Sequence, residues 1–122
     1  PAEQEALFTS LRRRLTDGLA GRGEFEINSP ADGVPYILNL SVPGIRSETM
    51  MHFLAQRGVY VSSGSACSRG KKSPVLAALG FSDARIDSAL RVSFTYTTTL
   101  EEIDRFLSAL YDAAASLARR TR

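Results

Sequence analysis

The sequence predicts an α+β domain, a small mixed or antiparallel sheet packed with helices. Three observations lead there. Leucines spaced four apart open the chain, and a clean apolar stripe behind a capping box closes it. Between them, short β-prone runs alternate with short helical patterns. The 122 residues, 43% hydrophobic and 23% charged, suit one domain with a core of its own.

From Glu3 to Leu19 the residues Leu7, Leu11, Leu15 and Leu19, with Phe8 beside the first, predict an amphipathic helix ended by Gly18 and Gly21. Glu24-Phe25-Glu26-Ile27 alternates as a half-buried strand does, and Ser29-Pro30-Ala31-Asp32-Gly33 reads as a turn. Tyr36 to Val42 is the second strand, stopped by Pro43-Gly44. Ser47 is the expected N-cap of a helix carrying Met50, Phe53 and Leu54, with Gly58 as its C-terminal cap. Met50-Met51 reads as core filling, and His52, with no second histidine in the chain, as a helix-surface residue.

Val59 to Ser62 is the expected third strand. Ser73-Pro74 then places an N-cap before a proline at the first helical position, and Gly80 stops that short helix. Ser82 to Ser88 reads as a helical turn. In the fourth strand, Leu90 to Phe94, residues Leu90, Val92 and Phe94 share one face while Arg91 and Ser93 point to the other. Thr99-Leu100-Glu101-Glu102 is a capping box for a closing helix striped by Ile103, Phe106, Leu107, Leu110, Tyr111, Ala114 and Leu117.

Between the third strand and the Ser73-Pro74 helix lies Ser62-Ser63-Gly64-Ser65-Ala66-Cys67-Ser68-Arg69-Gly70-Lys71-Lys72, which holds the only cysteine. Neighbouring cations lower a thiol pKa, and the thiolate is the reactive form. The residues alone leave two readings open: a reactive thiol, or an incidental cysteine in a loop whose serines and glycines make turns. Small residues and like charges from Gly64 to Lys72 also predict the least ordered internal segment. A phosphate-binding loop is excluded, because the full G-x-x-x-x-G-K-S/T pattern is absent.

A lone cysteine excludes an internal disulfide and fits a reducing, cytoplasmic setting. No apolar stretch approaches the roughly 20 residues that span a bilayer, and no signal peptide is recognisable. Of 15 cations 13 are arginine, gathered at Arg12-Arg13-Arg14 and at Arg119, Arg120 and Arg122. Without aromatic interleaving or a nucleic-acid motif these read as solvated helix faces, and no nucleic-acid partner is expected.

The segment Ser63-Gly64-Ser65-Ala66-Cys67-Ser68 resembles the active-cysteine loop of the cysteine desulfurases, pyridoxal phosphate enzymes of the class V aminotransferase fold. Other motifs agree in order and spacing. Tyr36 to Ser41 resembles the family's LN(I/V)S strand, and Glu48 to Gly58 its E-x-L-x-x-x-L-x-x-x-G helix. Ser73 to Gly80 resembles SHVLxALG, and Leu90 to Phe94 followed by Thr99 to Asp104 resembles IRISxG…NTxEEID. Two positions depart: Pro74 stands where many relatives have histidine, and Tyr96 to Thr99 lacks the family's asparagine.

The resemblance implies that residues 1–122 are the C-terminal small domain of a larger, homodimeric enzyme, expected to be inactive alone. It implies removal of sulfur from L-cysteine, leaving L-alanine. Cys67 would accept the sulfur as a persulfide for a sulfur-acceptor or scaffold protein, in iron–sulfur cluster or tRNA thiolation pathways. Arg91 matches the arginine that binds the substrate carboxylate. Pyridoxal phosphate is held in that family by a lysine of an S-x-H-K motif on the preceding large domain. The only lysines here are Lys71 and Lys72, so no cofactor-binding residue and no metal ligand is expected in this chain. Alternative readings are a free-standing persulfide carrier, a class V aminotransferase-like domain with another substrate, or a non-enzymatic interaction domain.

Overall fold

In a computed structural model, residues 2–65 and 73–117 are described. The elements run α1 (Ala2–Leu19), β1 (Glu26–Ile27), β2 (Ile37–Ser41), α2 (Ser47–Gln56), β3 (Ser62–Ser63), α3 (Pro74–Ala78), α4 (Asp83–Asp87), β4 (Leu90–Ser93) and α5 (Leu100–Ser116). The strands form one sheet in the order β1-β2-β4-β3, and every pairing is antiparallel. The α+β expectation therefore holds, with the sheet antiparallel rather than mixed.

One face of the sheet carries the core. Leu38 and Leu40 of β2 and Leu90 and Val92 of β4 meet Phe8, Leu11, Leu15 and Leu19 of α1, Met50 and Leu54 of α2, and the apolar stripe of α5. Phe8 takes the buried place expected of Leu7, which is only partly buried. Steps of three and four follow the 3.6-residue turn, whereas a strict four-residue repeat drifts off the face. Ala109 and Ala113 also lie in the α5 seam, where their size lets the helix approach. The closing helix keeps its expected cap: Thr99 and Glu102 exchange side-chain to backbone hydrogen bonds.

Four local expectations are corrected. Gly18 does not end α1 but lies inside it, because a Cβ there would come within 2.5 Å of Leu107 Cδ1. Tyr111 Oη donates to the Gly18 carbonyl at 2.5 Å, which seals the same α1–α5 contact. The helix turns off at Gly21, whose φ is 74°. Ser47 is the first helical residue and Arg46 the N-cap, without a side-chain cap bond; the Ser47 hydroxyl faces Glu48 Oε1 at 3.3 Å instead.

The strand expected over Val59–Ser62 pairs only at Ser62–Ser63. The Val59 N–H is already spent on the Leu54 carbonyl, and the Gly58 N–H on Ala55, so the two close a Schellman motif at the end of α2. Likewise the strand expected from Glu24 pairs only at Glu26–Ile27, since the Phe25 N–H bonds to the Arg22 carbonyl in a turn.

Two of the clustered arginines are tied into the fold rather than simply solvated. Arg12 donates to the carbonyls of Pro30 and Val34, both at 2.7 Å, which ties the turn after β1 to α1. Arg14 grips both Asp104 oxygens at 2.8 and 2.7 Å. Those hydrogen bonds hold the Asp104 carboxyl below its ordinary value and raise the Arg14 guanidinium. The pair's contribution, small at this exposure, is present at neutral pH and is lost as pH falls through the lowered carboxyl pKa. Arg119, Arg120 and Arg122 lie outside the described residues.

Candidate functional site

The sheet face away from the main core is polar. In register, Asn39 of β2, Arg91 of β4 and Ser62 of β3 stand opposite one another and form one row across three strands. Side chains alternate along a strand, so this row sits on the face opposite Leu38, Leu40, Leu90 and Val92. Arg91 is exposed, as its alternation predicts. It makes no hydrogen bond or ion pair with another described residue, and its guanidinium carries five donors.

Arg85 of α4, over the same face, behaves in the opposite way. Its Nε donates to Asn28 Oδ1 at 2.7 Å, its Nη2 donates to the Ile27 carbonyl at 3.0 Å, and its guanidinium stacks 3.7 Å from the Phe81 ring centre. The Arg85 carbonyl accepts from the hydroxyls of Ser41 and Ser88, both fully buried. Among the described residues no buried side-chain polar atom is left unsatisfied, as burial of such groups requires. These bonds dock α4 on the polar face, where Ile86 joins Leu76 of α3, Ala89 and Phe81 in a small second core.

Cys67 lies outside the described residues, and so does most of the segment expected to be least ordered. The chain is described on either side of it. Before it, Gly64 donates its N–H to the Ala89 carbonyl at 2.8 Å and accepts from Asn39 Nδ2 at 3.1 Å. After it, Ser73 caps α3 by accepting from the Leu76 N–H at 3.4 Å, with Pro74 at the first helical position, as its sequence suggests. The segment bearing Cys67 thus leaves the sheet two residues after Ser62, the register partner of Arg91.

His52 is exposed on α2, with Nε2 3.3 Å from Gln56 Nε2, and Met50 is buried in the core, as their sequence context suggests. No group of three or more potential metal ligands occurs among the described residues, and no described helix is long and apolar enough to cross a membrane. Pyridoxal phosphate does not fit the described residues: none is a lysine, both lysines falling at 71 and 72. The polar chain through Asn28, Asn39, Ser41, Arg85 and Gly64 was not anticipated from sequence. An asparagine amid the apolar strand residues Ile37 to Leu40 was its one visible signal.

The family described as "Aminotransferase class-V" matches residues 2–106. A NifS/IcsS protein homolog of Lactobacillus delbrueckii subsp. bulgaricus is 38% identical over 104 residues, covering 82% of this chain and 27% of the relative. The cysteine desulfurase IscS of Methylococcus capsulatus is 39% identical over 119 residues, covering 95% and 29%. Among solved structures, a NifS-like protein superposes with a TM-score of 0.80 at 31% identity over 95% of this chain and 29% of that one. The cysteine desulfurase CsdA (S-sulfonic acid) of Escherichia coli superposes with 0.72 at 27% identity, over 93% and 26%. The chain therefore spans little more than a quarter of the length of these relatives. Matched along most of its length, from α1 into α5, it belongs to the class V aminotransferase family.

Proposed function

We propose that the protein containing this chain is a cysteine desulfurase and that this chain is its small domain. The observation that carries the reading is the exposed Arg91, without a partner among the described residues and in register with Ser62, two residues before the chain leaves the sheet toward Cys67. A planar guanidinium pairs with a carboxylate through two parallel hydrogen bonds, so it can orient an amino acid as well as attract it. The likeness to relatives named cysteine desulfurases supports L-cysteine as that amino acid.

In the net reaction the C–S bond of L-cysteine breaks and an S–S bond forms on Cys67. The carbon keeps the bonding pair and takes up a proton, giving L-alanine, and Cys67 becomes a persulfide. No external oxidant is needed. Class V aminotransferases generally depend on pyridoxal phosphate, and here the cofactor would be held by the large domain that the relatives possess. This chain's share is to hold the substrate carboxylate at Arg91 and to receive the sulfur at Cys67. The enzyme works in the cytoplasm as a homodimer and passes its sulfur to an acceptor or scaffold protein. A persulfide carrier that takes sulfur from another protein has no use for a carboxylate site, which is why Arg91 favours the desulfurase.

The test is to give L-cysteine to the full-length protein and to its Cys67→Ser variant. Wild type should form alanine and gain one sulfur on Cys67 by mass spectrometry, and the variant should gain none. No alanine from wild type, or a persulfide on the variant, contradicts the reading.

A further inference from the structure

We propose that Asn39 is a positioning residue for sulfur transfer: its side-chain amide fixes the point where the chain leaves the sheet toward Cys67. The chemistry rests on the desulfurase reading above, whereas the geometry rests on described residues alone. Asn39 lies on β2 and reaches past the intervening strand β4 to the Gly64 carbonyl. With the Gly64 N–H held by Ala89, both polar groups of that residue are tied just beyond a strand only two residues long. The approach is close. A Cβ on Gly64 would stand 2.7 Å from Asn39 Nδ2, 2.9 Å from the Leu90 carbonyl carbon and 3.0 Å from that of Ala89. Two of these atoms are backbone and cannot move aside.

The Asn39 amide is itself oriented. Its Oδ1 accepts from Asn28 Nδ2 at 2.8 Å, and Asn28 Oδ1 accepts from Arg85 Nε at 2.7 Å. Donors therefore run in one direction, from the Arg85 cation through Asn28 and Asn39 to Gly64, an arrangement in which each bond polarises the next. Arg85 also belongs to α4, which shares its small core with α3, where the described chain resumes at Ser73. The polar chain thus ends on Gly64, and the helix that supplies its cation packs on the helix where the described chain resumes. Loss of the Asn39 amide leaves one Asn28 Nδ2 hydrogen on Ser41 Oγ at 2.8 Å but takes the acceptor from the other and the donor from the Gly64 carbonyl. Some loss of stability is therefore expected, and positioning is told from it by the kcat-against-KM split and by exchange at Gly64.

In the full-length protein, Asn39→Ala should lower kcat for alanine formation about tenfold and leave KM for L-cysteine within about twofold. Hydrogen exchange at the Gly64 amide should quicken by about tenfold. Asn39→Asp keeps the acceptor for Asn28 but sets a carboxylate beside Arg91, so KM should rise as well as kcat fall. It also carries the test should Asn39→Ala not fold. Unchanged kcat, or kcat and KM shifting together in Asn39→Ala with Gly64 exchange unaltered, overturns the proposal. If wild type makes no alanine, the desulfurase reading falls by itself. The positioning of Gly64 is then judged on its amide exchange and on Cys67 alkylation: faster in Asn39→Ala keeps it, unchanged removes it.

Discussion

Along β4, Leu90 and Val92 turn toward the helices and are 0% and 8% exposed, whereas Arg91 between them stands exposed on the other side of the sheet. The same contrast holds along β2, where Leu38 and Leu40 are buried and Asn39 between them belongs to the polar chain. The inward face is apolar and filled by three helices. The outward face is built from amides, hydroxyls and two arginines with opposite fates, Arg85 saturated with partners and Arg91 without one among the described residues. A face that only needed covering would bury its residues or pair its charges. The inward face specifies the fold, and the outward face carries a guanidinium that no described residue pairs.

Substitutions on the two faces should separate stability from activity. The largest loss of stability is expected for Leu90→Ala, which empties a fully buried site at the centre of the core. Chemical denaturation should show about 2–5 kcal/mol of destabilisation. A smaller effect is expected at the α1–α5 seam. Alanine at position 18 favours the helix by up to about 1 kcal/mol over glycine, but its Cβ would crowd three atoms of the Leu107 side chain. Gly18→Ala should therefore destabilise wild type by roughly 1 kcal/mol. In a Leu107→Ala background, where the crowding is gone, it should stabilise. Equal effects in both backgrounds would show that the seam does not depend on that glycine.

Much of this arrangement is legible in the sequence because it depends on neighbours in the chain. The Thr99 capping box, the Ser73-Pro74 start and the alternation around Arg91 are local patterns, and each appears where the residues predict it. The failures arise where a long-range contact overrides a local sign. Gly18 looks like a helix stop but is a packing site for Leu107, 89 positions away, and Val59 gives its N–H to a helix cap instead of the expected strand. The polar chain joins residues 28, 39, 64 and 85 through tertiary contacts that no spacing rule encodes. For the candidate site, Arg91 is found where the strand pattern puts it, while Cys67 rests on its sequence motif.

The most direct test of the account is Arg91→Lys in the full-length protein, because it should leave the fold untouched and damage only the use of the outward face. Lysine keeps the charge but replaces a two-pronged donor with a point donor. Stability should stay within about 0.5 kcal/mol of wild type, as expected of an exposed residue with no partner among the described residues. Cys67 alkylation should be normal, and kcat/KM for L-cysteine should fall about ten- to hundredfold, the loss of a charge-assisted hydrogen bond. An unchanged kcat/KM would remove Arg91 from the site, and with it the claim that the outward face holds the substrate.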